Sequence, residues 1–313
     1  FLRLLKREDG TRESMIQRVC RQLQTAVPGI PITIATGREQ VSLIRRQLGS
    51  EVNISIEPCR RDTFPAIALV CAYLHEMRGV PHDEAVAICP ADPYVEGDYF
   101  HAVLRLLEEA ERKEAVNLVL MGIEPTYPSE KYGYIIPASQ ESQSVVRSFK
   151  EKPDKEDAEK YIEQGALWNS GVFAFKLGYA LDKARELLDY TDYEDLFNRY
   201  EELTKISFDY AVVEKESSIV VQRYSGTWLD IGTWNTLADV MPEHTIGRVT
   251  LDEACTNVHV VNTLPMPILC MGLKDVVVAA SPEGILISDK ERSSAMKPYV
   301  ERLHTPVMYA EKS

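Results

Sequence analysis

From Glu13 to Met121 the sequence alternates helical apolar periodicity with short apolar runs, and this alternation constrains the fold more than any other feature. Met15, Ile16, Val19, Cys20, Leu23 and Val27 recur at helical spacing, and Pro31-Ile32-Thr33-Ile34-Ala35 then reads as a short buried strand. The beat continues: helix Glu39 to Leu48, strand Val52 to Ile56, helix Pro65 to Met77, strand Ala85 to Cys89, helix Tyr99 to Ala110, strand Val116 to Met121. A helix between successive strands implies βαβ units, hence an α/β fold with a mostly parallel sheet covered on both faces.

After Gly122 the rhythm changes. Strand pieces at Gly133 to Ile136, Val145 to Lys150, Val172 to Phe175 and Ile219 to Gln222 are separated by helices around Lys155 to Gln164, Ala180 to Leu188 and Asp195 to Leu203. This half is expected to add antiparallel strands and a lid. From about His244 β-branched runs dominate (Val258 to Val261, Asp275 to Ala280, Gly284 to Ser288), with a final helix near Ser294 to Leu303. The expectation is a mixed α/β domain over 1–243 and a small β-rich domain over 244–313, the latter without a clean hexapeptide period.

Composition closes off several classes of function. With 35 Lys+Arg against 48 Asp+Glu the net charge is −13, which argues against nucleic acid or an anionic membrane as the main partner. No apolar run approaches the roughly 20 residues that span a bilayer, and no leader precedes them, so the expectation is a soluble protein. The six cysteines (Cys20, Cys59, Cys71, Cys89, Cys255, Cys270) form no Cys-x-x-Cys pair, which excludes a zinc ribbon and a disulfide framework and fits a reducing cytoplasm. No two of the 16 glycines stand two or five residues apart, so neither GxGxxG nor a Walker A loop is present. Phe1 opens inside the apolar run Phe1-Leu2-Arg3-Leu4-Leu5, as in a chain that has lost its start.

Five segments beyond predicted strands combine charge with turn residues, where open α/β sheets bind ligands. Glu57-Pro58-Cys59-Arg60-Arg61-Asp62-Thr63-Phe64-Pro65-Ala66 reads as a helix start with Asp62 or Thr63 as N-cap and Pro65 in the first turn, which leaves Glu57 and Arg61 unexplained. Pro90-Ala91-Asp92-Pro93 is an adequate plain turn, and equally a carboxylate that could hold Mg²⁺ against phosphate oxygens. Lys131-Tyr132-Gly133-Tyr134-Ile135 and Phe149-Lys150-Glu151-Lys152-Pro153-Asp154 offer a glycine that lets backbone approach a sugar and a lysine that could meet a phosphate; as plain structure Lys152 is a solvated residue before a helix. Trp168-Asn169-Ser170-Gly171, Ser207-Phe208-Asp209-Tyr210 and Trp228-Leu229-Asp230-Ile231-Gly232-Thr233-Trp234 complete the set, with Asn-Ser-Gly read as a turn and Asp230 as a candidate cap for the next helix.

In this order and spacing the segments resemble the mannose-1-phosphate guanylyltransferases, the GDP-mannose pyrophosphorylase branch of the sugar-phosphate nucleotidyltransferases. The resemblance spans residues 1 to 303 and implies a Rossmann-like mixed sheet flanked by helices, of the nucleotide-diphospho-sugar transferase type. It implies that Glu57, Arg61, Thr63, Pro65 and Ala66 face the nucleotide base, and that Asp92 and Asp230 hold a catalytic Mg²⁺. By the same resemblance Lys152 contacts the sugar phosphate in a catalytic role, while Gly133, Glu151, Asn169 and Asp209 contact the hexose. The implied reaction joins GTP and α-D-mannose 1-phosphate into GDP-mannose and pyrophosphate. A carboxylate at position 57 suits guanine, whose N1–H and N2–H₂ are adjacent donors. The C-terminal segment is implied to be a short left-handed β-helix-like element that makes a homodimer contact.

Three features depart from the family pattern. Asp62 stands where Asn is usual, and Pro93 where His often follows the aspartate. The signature Gly-Gly-x-Gly-Thr-Arg loop and its Pro-Lys are expected immediately before Phe1, so a protein starting at Phe1 would be nearly inactive. Because the sequence ends about where the family's single-function members end, the expectation is that no fused isomerase domain is present. Two alternatives stay open at this point: another nucleotide or hexose, such as glucose 1-phosphate with UTP or dTTP, and a catalytically silent regulatory or binding subunit on the same fold.

Overall fold

A computed structural model describes residues 2–50, 52–112, 115–241, 243–296 and 299–300. Internal contacts divide the chain into two units, one made of Ile16–Ala91 and Val95–Trp228, the other of Leu2–Met15, Asp92–Tyr94 and the chain from Leu229 onward.

The first unit is built on a six-stranded sheet whose order is Ala85–Ile88, Leu167–Lys176, Leu118–Ile123, Ile219–Tyr224, Gln143–Lys150 and Tyr134–Pro137. Leu118–Ile123 is buried along its whole length. Its alternate side chains enter two different cores: Leu118 and Leu120 pack with Leu69, Phe175 and Phe208, whereas Val119, Met121 and Ile123 pack with Phe100, Val103 and Leu106. That two-sided burial follows from the period-2 alternation of strand side chains and explains the continuous apolar run.

The mixed α/β class holds, with fewer parallel neighbours than expected. Within this sheet only Ile219–Tyr224 runs parallel to its partner Leu118–Ile123, while the other ladders among the described residues are antiparallel. The cause is Leu167–Lys176, a ten-residue apolar strand that inserts between Ala85–Ile88 and Leu118–Ile123 and separates two strands expected to be neighbours. Ala85–Ile88 therefore ends the described sheet. A second parallel pair, Thr33–Gly37 with Asn53–Glu57, forms its own ladder. The helix predicted from Pro65 begins at Thr63 under an Asp62 cap and ends in a π-helical turn at Tyr73–Met77.

In the second unit, Thr245–Ile246, His259–Asn262 and Val276–Ser281 stack in parallel, and Gly284–Asp289 returns antiparallel as a hairpin. Val249–Leu251 stacks in parallel on Ile268–Cys270. Val260 lies opposite Val278 and Thr256 opposite Lys274, one coil further along the chain in each case. Parallel strands joined without helices make this a coil of rungs, as in solenoid architectures, although no repeat marks it in the sequence. The expected terminal helix appears as a 3₁₀ turn at Glu291–Ala295, and its remainder to Leu303 falls mostly outside the described residues. All six cysteines are free thiols. Among the described residues no helix is long and apolar enough to cross a membrane.

Candidate functional site

Glu57 closes the Asn53–Glu57 strand, and the next helix starts six residues later at Thr63. The intervening loop is turned by Asp62, whose backbone sits at φ 71° and whose side chain accepts from the Thr63 N–H at 2.8 Å. Glu57 is half-buried, and its Oε2 accepts from the Tyr200 hydroxyl at 3.0 Å. Burial pushes its carboxyl up, and the Tyr200 bond and the Arg60 charge pull it back. Arg61 donates from Nε to the Glu201 carbonyl at 3.1 Å, and from Nη2 to the same oxygen. Thr63 Oγ1 accepts from the Phe208 N–H at 2.8 Å, and Phe64 N–H donates to the Ile206 carbonyl at 3.1 Å. Pro65 is buried in the first helical turn, so its place is a packing one, with Ala66 half-buried beside it. The segment 57–66 is thus stitched to 200–208 at Glu57, Arg61, Thr63 and Phe64.

A second group gathers in the same unit. Glu151 has a side chain only 6% exposed, with Oε1 2.7 Å from Lys152 Nζ. Its Oε2 is buried and has no hydrogen-bond partner. Gly133 lies against it: a Cβ there would stand 2.5 Å from that oxygen and 2.7 Å from the Phe149 ring, so only glycine leaves the carboxylate its place. Lys152 occupies the left-handed region at φ 46°. The Asn169 N–H donates to the Gly133 carbonyl at 2.8 Å, and Asn169 Nδ2 donates to Asp209 Oδ1 at 2.7 Å. Burial first, then the Glu151 charge, push Asp209 up to about 6 against the pull of Asn169 and Lys152. Lys152 is raised in turn, chiefly by its bond to Glu151.

Asn169-Ser170-Gly171 is not a turn, which corrects the sequence reading. It lies inside the Leu167–Lys176 strand, where pairing with Leu118–Ile123 shifts register between Asn169 and Phe173 and Gly171 takes φ 73°. A bulge of this kind re-aims side chains, and it accompanies the placing of Asn169 beside Asp209.

Asp92 and Asp230 both belong to the second unit, and Asp230 stands near enough for its charge to act on Asp92. Asp92 is accessible to solvent yet ringed by protein atoms, and this crowding, followed by the Asp230 charge, raises its carboxyl. Asp230 Oδ1 accepts from the Gly232 N–H at 2.9 Å. It does not cap the following helix: Thr233 does, in a reciprocal box with Thr236. Among the described residues no group of three or more His, Cys, Asp or Glu is placed to hold a metal. Two carboxylates suit Mg²⁺ nonetheless, because that ion takes one or two carboxylates and fills its shell with water and phosphate oxygens.

Residues 8–246 match the family described as Nucleotidyl transferase. The chain belongs to that family. A Klebsiella pneumoniae protein named mannose-1-phosphate guanylyltransferase is 28% identical, covering 97% of this chain and 68% of its own. The alginate biosynthesis protein AlgA of Pseudomonas aeruginosa is 30% identical over 84% of this chain, which spans 59% of that relative's length. Among solved structures, one described as a mannose-1-phosphate geranyltransferase from Thermus thermophilus superposes with a TM-score of 0.75 at 27% identity, covering 95% of this chain and 90% of that one. Of the residues above, Asn169 lies within the six-stranded sheet, whereas Glu57 ends the separate Thr33–Gly37/Asn53–Glu57 ladder and Asp92 and Asp230 belong to the second unit. Sequence reasoning missed Tyr200, which lies within a predicted helix and carries no motif, and Glu214, whose Oε1 accepts from the Glu151 N–H at 3.3 Å.

Proposed function

We propose that this nucleotidyltransferase transfers a guanylyl group from GTP to α-D-mannose 1-phosphate. An oxygen of the sugar phosphate attacks the α-phosphorus in line, the new P–O bond forms as the bond to the β-phosphate breaks, and pyrophosphate leaves. The observation that carries the reading is Glu57, a half-buried carboxylate at a strand end with Tyr200 on one oxygen. It offers only acceptors, which fits the paired donors of guanine and misfits uracil or thymine, where a donor adjoins an acceptor. The names of the relatives point the same way.

In this reading Arg61 and Thr63 hold the base-facing loop, and Lys152 meets the sugar phosphate. Glu151, Asn169 and Asp209 accept from and donate to hexose hydroxyls, with Gly133 leaving the Glu151 carboxylate its place beside them. Asp92 and Asp230 hold Mg²⁺, which when bound neutralises phosphate oxygens. Such transfers depend on positioning and charge neutralisation more than on covalent help, and a chain of net charge −13 needs local cations such as Lys152 where two anions react. Free thiols support a cytoplasmic setting, and we assign a homodimer contact to the C-terminal coil.

The test is pyrophosphate release by the full-length protein with GTP, UTP, dTTP or ATP, against mannose or glucose 1-phosphate. GTP with mannose 1-phosphate should dominate, and Glu57→Gln should cut the preference for GTP by about tenfold or more. Equal use of the nucleotides by the wild-type protein would refute the reading.

A further inference from the structure

The Glu57–Tyr200 contact carries an inference that rests on the guanine reading and goes further. Tyr200 is fully buried in the Tyr200–Glu202 turn, and its ring needs no hydroxyl to stay there. The turn and the chain after it are held to the 57–64 loop by Arg61 on the Glu201 carbonyl, by Phe64 N–H on Ile206 and by Phe208 N–H on Thr63. A phenylalanine would pack as well. The hydroxyl is spent on a carboxylate instead, and that carboxylate is the one proposed to read the base.

We propose that Tyr200 is the positioning residue for base selection: by donating to Oε2 it fixes the rotation of the Glu57 carboxylate and holds it as an acceptor-only group. The alternative states of Glu57 show what is at stake. A carboxylate free to rotate presents no fixed pair of acceptors. A protonated carboxyl presents a donor beside an acceptor, which matches the edges of uracil and adenine and no longer matches the paired N1–H and N2–H₂ donors that distinguish guanine. Burial and the charge of Glu39 favour that protonated form, and Arg60 and the Tyr200 hydroxyl oppose it. Arg61 and Cys59 face Tyr200 from the same loop. Among the described residues Tyr200 is the opposing group that bonds the carboxylate directly, and Arg60 acts by charge, so removing the hydroxyl shifts selection away from the paired donors that distinguish guanine.

The experiment compares kcat/KM for GTP, UTP and ATP in full-length wild type, Tyr200→Phe, Glu57→Gln and the double variant, with a thermal melt of each. Tyr200→Phe should melt as a folded protein and lose about tenfold or more of the GTP over UTP and ATP preference, the scale of one hydrogen bond to a charged group. Its kcat at saturating GTP should stay within about threefold, because the loss lies in base reading. In the Glu57→Gln background the same change should add nothing, since Tyr200 acts through that carboxylate. Wild-type selectivity in Tyr200→Phe, a fall in kcat with selectivity intact, or an equal effect in both backgrounds would overturn the inference and leave the guanine reading standing. A wild-type protein without GTP preference would overturn both.

Discussion

Asp209→Asn separates the demands of the site from those of the fold. In the native protein Asp209 is lifted from an ordinary value of 3.8 to about 6, by burial first and by Glu151 second. A rise of about two units corresponds to about 3 kcal/mol at 25 °C, which partial exposure reduces to about 2. The sign follows from which state gives up its proton first. The unfolded chain ionises near 3.8 and the folded protein near 6, so below about 4 both are protonated and the residue is neutral in effect. As pH rises from about 4 to about 6 the folded state is progressively penalised, and above that the penalty is complete. Asparagine removes it while keeping an amide oxygen to accept from Asn169. Urea unfolding, followed by tryptophan fluorescence, should therefore find Asp209→Asn more stable than wild type by about 2 kcal/mol at pH 7.5 and equal to it near pH 4. The same variant should lose about tenfold or more in kcat/KM for the sugar phosphate, because a hydroxyl donor loses its charged acceptor. A variant less stable than wild type at pH 7.5, or a stability gap that ignores pH, would refute the reasoning.

Gly133→Ala should destabilise by about 1 to 3 kcal/mol and raise KM for the sugar phosphate more than it lowers kcat, since a Cβ 2.5 Å from Glu151 Oε2 must displace that carboxylate; unchanged stability and KM would show that Glu151 has room to move. Asp92→Asn and Asp230→Asn should each lower turnover by roughly 10² or more, and the double variant should fall little below the worse single one if both act through a single Mg²⁺. Small additive losses across a magnesium titration would return both residues to plain turn roles.

How far the sequence carried depended on whether a signal was local. Glu57, Asp92, Lys152, Asn169, Asp209 and Asp230 could be nominated because each belongs to a short ordered motif, and Asp62 stood beside Thr63 as a cap candidate because N-cap chemistry is written within one helical turn. Strand order was not legible. Nothing within Leu167–Lys176 says that it inserts between Ala85–Ile88 and Leu118–Ile123, because pairing partners are fixed by packing over distances that periodicity cannot register. Asn169-Ser170-Gly171 has the composition of both a turn and a bulge, and only the neighbouring strand decides between them. Tyr200 offered an apolar ring to a helical pattern, so its hydroxyl, which bonds Glu57, added nothing to the signal. The C-terminal coil stacks by register between rungs of unlike sequence, which leaves no repeat to find.

The electrostatics sort the carboxylates in a way that motif reading does not use. Among the described residues, the acids held above their ordinary range are Glu57, Asp92 and Asp209, each with burial as the first cause. Those held below it are Glu216, Glu243, Asp252 and Glu283, and all four are lowered by bonds that the fold itself supplies: Tyr179, Asn117 and backbone N–H groups on Glu216, Lys6 and Arg12 on Glu243, the Gly272 N–H on Asp252, Ser281 on Glu283. An under-bonded buried charge destabilises the native state. A carboxylate raised by burial is a candidate for a partner outside the chain, and the proposed function supplies one for each: a base edge for Glu57, a cation for Asp92 and a hydroxyl for Asp209. Glu57, Asp92 and Asp209 are also residues to which the family resemblance gave ligand roles, so their electrostatics support the proposed function by a route separate from the motifs.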